Sequence, residues 1–288
     1  MSYDVASAIL RQNREYRDLS DLALAAGVRG AIRPAVAGGL PETARSVFVL
    51  AFAEDVTLSG KPVLILFPDD REAASAAATL AERGVDALFY PSRDYNFNNI
   101  TTSHETENER LRVLNRLFQP DPSPAAICAG VYGALQITTG REEFVSRTTV
   151  IRSADTVDTD DLCKRLTENG YTRVELVEGP GQFAVRGGIV DVFTPLGRAC
   201  RMELFGDEID RLGYFDPVTQ RFGDFSDSVT IPPAREIILT DDSRDELQRM
   251  LTAQLKKLSG STDERTDRAG KIILSELARL REGMGPES

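Results

Sequence analysis

Between Gly60 and Gly140 the apolar positions change period repeatedly along the chain. Short β-rich runs, KPVLILF at Lys61 to Phe67, ALFYP and AAICAG, alternate with stretches of helical spacing, Asp69 to Arg83 and Ser103 to Phe118. Such alternation predicts a parallel sheet wrapped by helices. A further helix begins near Leu40 to Thr43 and runs through ARSVFVLAFAEDV. Pro68 followed by Asp69 and Asp70 marks the start of the next. From about Val150 the pattern shifts to one short helix, DTDDLCKRLTENG, and then a dense series of strands: YTRVELV, FAVRGGIVDVF and CRMELFGDEIDRLGYF. After Pro232-Pro233 and REIIL, helical spacing returns over Ser243 to Leu258 and Thr262 to Glu282. The predicted fold class is α/β, with a smaller, antiparallel strand-rich α+β domain inserted. The expected division is 1–147 for the first part of the α/β domain, 148–233 for the insert and 234–288 for a helical return.

Composition narrows the function classes. The chain has 288 residues, 41% hydrophobic and 27% charged, enough for one large or two smaller cores. No apolar run approaches the roughly 20 residues that span a bilayer, and the first 17 residues are polar, so a cytoplasmic address and no membrane partner are expected. A formal net charge of −11 opposes broad attraction to DNA and favours a protein partner. Cys128, Cys163 and Cys200 are widely spaced, with no CxxC pair, and His104 is the single histidine. Neither structural zinc nor a disulfide framework is expected.

Two groups of residues carry candidate chemistry. Gly39-Leu40-Pro41-Glu42-Thr43-Ala44-Arg45-Ser46 occupies the frame of a phosphate loop, G-x-x-x-x-G-K-[ST]. Ala44 stands where glycine permits positive φ and Arg45 where lysine reaches phosphate. Pro41 removes a donor and Glu42 adds negative charge. Read alone, the stretch is a glycine-rich turn into a helix; at the head of an α/β unit it reads as a degenerate phosphate loop, and no bound cofactor is expected. The second group lies on the strands. Taken as one continuous strand, FAVRGGIVDVF sets Arg186 and Gly188 on one face against Val185, Gly187 and Ile189 on the other; in CRMELFGDE, Arg201, Glu203 and Phe205 share a face. An aromatic beside two arginines and a glutamate suits a binding patch. The bland alternative is a cross-strand Arg186–Glu203 ion pair with Phe205 closing a small core. Gly187 and Gly188 suggest a bulge or a close approach between strands.

No catalytic residues are expected. His104 has neither a second nitrogen ligand nor a cysteine pair, and Ser103 beside it suits a helix start. Asp69 and Asp70 are more economically helix caps than Walker-type acids. Arg110, Arg112 and Arg116, interleaved with leucines, offer an alternative DNA-binding face, although only part of that set can share one side of a helix.

The run from Gly170 to Phe222, GYTRVELVEGPGQFAVRGGIVDVFTPLGRACRMELFGDEIDRLGYFDPVTQRF, resembles the domain shared by UvrB and the bacterial transcription-repair coupling factors. FPDDREA and SHETENERLRVLNRLF resemble the first α/β domain of the same N-terminal module. UvrB itself has an intact phosphate loop and a long DNA-clamping hairpin. Here the loop is degenerate, and only a short connection with Tyr95 and Phe97 stands in the hairpin's place, which favours the coupling factors. The resemblance implies a non-catalytic, UvrB-like scaffold without ATPase activity that recruits UvrA in transcription-coupled nucleotide excision repair. It maps the contact positions onto Arg186, Arg201, Phe205 and Glu203. It also implies that RNA polymerase and DNA are engaged only by further domains of the longer family members.

Overall fold

The computed structural model describes residues 3–25, 38–58, 60, 62–93, 100–118, 126–238, 241–258 and 264–281. Lys61, Tyr95, Phe97, Thr262 and Glu282, named above, lie outside them. The chain divides into two compact units, 1–92 with 112–137, and 93–111 with 138–288.

The first unit opens with helices α1 (Tyr3–Gln12), α2 (Arg14–Ala25) and α3 (Glu42–Leu58), followed by strand β1 (Val63–Phe67), α4 (Asp70–Glu82) and β2 (Ala87–Tyr90). Helix α5 (Ile100–Phe118), which belongs to the second unit up to Leu111 and to the first from Arg112, precedes β3 (Ala126–Gly130) and a short α6 (Val131–Leu135). The strands form a parallel sheet in the order β1-β3-β2, with all of β3 buried at its centre. Helix α4 shows why the sequence folds this way. Asp69 caps it by accepting from the Glu72 amide at 2.9 Å, and Ala73, Ala77 and Leu80 are buried along one stripe. It ends at Gly84, whose φ of +82° lets the Val85 amide turn back to the Leu80 carbonyl. Asp70 does more than favour a helix start. Its carboxylate accepts from the amide and hydroxyl of Ser92 at 2.7 and 2.6 Å and sits where a Cβ on Gly130 would have to go. That glycine admits the acid at the end of β3. The helix expected to start at Ser103 is already regular from Ile100, because the polar ITTS turn reads equally as a cap or as a first turn.

The second unit adds α7 (Arg141–Arg147), β4 (Thr149–Arg152), α8 (Thr159–Glu168), β5 (Thr172–Arg173), β6 (Gln182–Arg186), β7 (Ile189–Phe193), β8 (Ala199–Phe205), β9 (Glu208–Phe215), β10 (Phe222–Phe225) and β11 (Ser228–Ile231). It closes with α9 (Asp241–Leu258) and α10 (Glu264–Arg281), which pack on each other. A six-stranded sheet in the order β10-β9-β8-β7-β6-β5 is antiparallel apart from the β5–β6 pair, and β11 pairs with β4. Asp158 caps α8, and Leu162 and Leu166 from that helix pack on Phe183, Val190, Val192, Cys200 and Met202 from the inner sheet face. The opposite face carries a smaller apolar cluster of Val177, Ala184, Ala199 and Phe215.

Three strand expectations change. YTRVELV pairs only over Thr172–Arg173: the Val174 amide still donates to the Phe183 carbonyl, but the chain then bends at Glu175-Leu176 and Val177 enters the smaller cluster. FAVRGGIVDVF and CRMELFGDEIDRLGYF are each a hairpin, not one strand. The first turns at Gly187-Gly188 with Arg186 paired to Ile189; the second turns at Gly206-Asp207 with Phe205 paired to Glu208. Gly187 and Gly206 take φ of +61° and +67°, which a side chain would resist.

Candidate protein-interaction face

The β6–β7 turn restarts the alternation, so Ile189 lies on the same side of the sheet as Arg186, opposite to the single-strand reading. Asp191 comes to that side too, and the register then places Arg201 directly across from Asp191 and Glu203 across from Ile189. A charged lattice results in the middle of an apolar sheet.

Asp191 is its centre. Its side chain is 1% exposed, and it accepts from Arg201 Nε at 2.6 Å and Nη2 at 2.9 Å, a two-pronged pair, and from Arg186 Nη2 at 2.7 Å. Arg201 is 9% exposed and held on its other sides as well. Nη1 donates to the Gln220 carbonyl at 3.0 Å, and the guanidinium lies 4.4 Å from the Phe215 ring centre. Gln220 takes φ of +59° and is fixed by its amide donating to the Asp216 carbonyl at 2.7 Å. Asp216 in turn accepts from the Val218 amide and the Thr219 hydroxyl, contacts that hold its carboxyl below the usual range. The FDPVTQ segment is therefore a rigid loop that closes over Arg201.

Arg186 is 42% exposed and reaches solvent from the same carboxylate. Glu203 pairs with Arg211 at 3.5 Å, so the Arg186–Glu203 pair of the alternative reading does not form. Nor does Phe205 close a core: it is 83% exposed at the tip of the β8–β9 hairpin. Glu203 and Phe205 line a groove of about 380 Å³ with Gly188, Ile189, Leu204 and Asp210. Gly188 makes this close approach possible. Its carbonyl accepts from the Leu204 amide at 2.6 Å, and an added Cβ would lie 2.6 Å from the Leu204 oxygen. The expectation of close approach at this pair of glycines holds, with a turn in place of a bulge.

Of the four residues singled out in the sequence, Arg186, Glu203 and Phe205 reach this surface, and Arg201 lies beneath it. Asp191 was missed. Its signal was a lone acid inside the apolar run IVDVF, a position that demands a buried cationic partner.

The other candidates fall elsewhere. Gly39 keeps a φ of +75°, and Arg45 and Ser46 lie in the first turns of α3. Arg110 is fully buried and holds both oxygens of Glu236 at 2.7 and 2.8 Å, so it presents nothing to nucleic acid; Arg116 pairs with Asp86. Cys128 and Cys200 are buried free thiols, pushed up to about 11 and about 12 by desolvation. Among the described residues, no cluster of His, Cys, Asp and Glu has the arrangement of a metal site, and no helix is long and apolar enough to cross a membrane.

Comparison with known proteins sets relatives beside this geometry. The UvrB interaction domain model matches residues 150–237, the stretch containing Arg186, Asp191, Arg201, Glu203 and Phe205. The transcription-repair-coupling factor of Bacillus subtilis (strain 168) is 30% identical over 267 residues, 89% of this chain and 22% of the relative. That of Staphylococcus aureus (strain bovine RF122 / ET3-1) is 28% identical over 276 residues, 94% of this chain and 22% of the relative. That of Myxococcus xanthus is 38% identical over 128 residues, 44% of this chain and 10% of the relative. The chain thus spans about a fifth of the first two relatives' length. The chain is thus similar to transcription-repair-coupling factors along nine-tenths of its own length, and the UvrB interaction domain model matches it at 150–237.

Proposed function

We propose that this chain is a non-catalytic, UvrB-like recruitment module for transcription-coupled nucleotide excision repair, and that its partner is UvrA. Residues 148–233 form the binding domain in this reading, with Arg186, Arg201, Glu203 and Phe205 as its interface set. Residues 1–147 and 234–288 supply the scaffold. The observation that carries it is the pairing of a family match over 150–237 with an exposed aromatic, Phe205, on the same domain as the anchored Arg186. Exposed aromatic and arginine anchors are the residue types that dominate protein interfaces.

The first unit acts without nucleotide in this reading. Helix α3 is already regular at Glu42, where a working phosphate loop would still be wrapping its ligand. The Ala44 and Arg45 amides donate to the Pro41 carbonyl at 2.9 and 3.0 Å, so these donors are turned into the helix. A cytoplasmic module without ATPase activity of its own follows, with contacts to RNA polymerase and DNA left to the remainder of the longer relatives.

Calorimetric titration of the purified chain with its cognate UvrA, with duplex DNA as control, tests the reading. Binding to UvrA that is lost in Phe205→Ala is the expected result. Absence of UvrA binding together with salt-sensitive DNA binding would overturn it.

A further inference from the structure

We infer that Asp191 is a positioning residue for partner binding: from beneath the face it fixes the direction in which Arg186 is presented. The inference rests on the recruitment reading above and deepens it.

The geometry runs from the inside outward. The Asp191 carboxylate cannot turn, because Arg201 grips both of its oxygens and Arg201 is itself held by the Gln220 carbonyl and the Phe215 ring. The fixed Oδ2 then accepts from Arg186 Nη2. Arg186 is the last residue of β6, next to a two-glycine turn, and its side chain is 42% exposed. One charge-assisted bond to an immobile acceptor therefore sets its orientation. Among the described residues, Nε and Nη1 of Arg186 have no partner within the chain. These are N–H groups suited to a carboxylate on the partner. The charge balance points the same way. Two guanidiniums share one carboxylate, leaving a net positive charge whose exposed outlet is Arg186. The group that complements Arg186 is acidic, and Arg186 is pre-aligned for it before encounter, so less side-chain freedom is lost on binding.

A double-mutant cycle separates this role from simple structural support. Affinity for cognate UvrA is measured by calorimetry for the wild-type chain, Asp191→Asn, Arg186→Ala and the double variant, each checked for folding by circular dichroism. Asp191→Asn should weaken binding about tenfold when Arg186 is present. With Arg186→Ala in place, the same change should alter affinity by less than about twofold. An unchanged affinity in Asp191→Asn, or the same loss in both backgrounds, would overturn the positioning role. Should Asp191→Asn fail to fold, the cycle is run with Asp191→Glu, which retains the charge but displaces it by one methylene, and is judged by the same two criteria. If the wild-type chain itself does not bind UvrA, the recruitment reading fails and takes this inference with it; loss of the coupling alone leaves recruitment intact.

Discussion

Asp191 and Arg201 face each other across β7 and β8, and the arginine reaches both carboxylate oxygens, at 2.6 and 2.9 Å. Both side chains are buried, so each depends on the other to offset the loss of water. Arg201 is thus part of the domain's structure as well as a candidate interface residue, and truncation should not leave the fold untouched. Arg201→Ala should lower stability by about 3–5 kcal/mol, read from urea denaturation of the intact chain. A loss within the roughly 0.5 kcal/mol expected of surface substitutions would show that the pair is not energetically buried.

Phe205 is the opposite case, since its ring lies in solvent at a hairpin tip. Phe205→Ala should leave the melting temperature unchanged while weakening UvrA binding by about 1–3 kcal/mol. Wild-type affinity in this variant would remove the hairpin tip from the interface.

A second buried pair predicts the response to acid. Burial opposes the charge of Glu236, but hydrogen bonds from Arg110 and Thr138 and the nearby charges of Arg110 and Arg93 outweigh it and hold its carboxyl below the ordinary value of 4.5. A depressed folded-state pKa means that the unfolded chain takes up the proton first. The stabilisation is therefore complete above that ordinary value and is lost as pH falls through the folded-state value. In urea midpoints measured across this acid range, Glu236→Gln should be less stable than wild type at neutral pH and fall less steeply on acidification. Parallel curves would show that another carboxyl controls acid unfolding.

The thiols should react in an order set by burial. Desolvation pushes Cys200 and Cys128 up to about 12 and about 11 and raises the half-buried Cys163 as well. At neutral pH one thiol, Cys163, should be modified by an aromatic disulfide reagent in the native chain, with the other two appearing only on denaturation. Cys163→Ser should abolish the native-state reaction; rapid labelling of Cys200 instead would mean that the core of the second unit opens readily.

Nucleotide offers a direct check on the first unit. Added ATP and magnesium should leave the melting temperature where it is, because only a ligand that binds the native state stabilises it. A dose-dependent rise would show that the Gly39 to Ser46 turn still holds phosphate.

The alternating β and α segments were legible in the sequence, and so was the cap at Asp69, because helix starts and apolar stripes are written in residues three and four apart. The close approach at Gly188 could be anticipated from local pattern, whereas alternation left Phe205 open between a binding patch and a small core until the structure placed it in solvent. The direction of Arg201 could not. Alternation assigns a residue to one side of a sheet, but here that side is covered by the Asp216 to Gln220 loop, a contact about twenty residues away in sequence. Asp191 was missed for a related reason, since its two cations come together only when two hairpins are folded in register.

By itself, the sequence determined the succession of elements, the resemblance to the coupling factors and the residue types available for binding, all of which depend on local spacing and on the identity of side chains. Only the tertiary structure decided which arginine is held inward and which reaches the solvent. That choice depends on strand register and on a covering loop, because a charge in an apolar sheet goes wherever the one buried carboxylate can meet it.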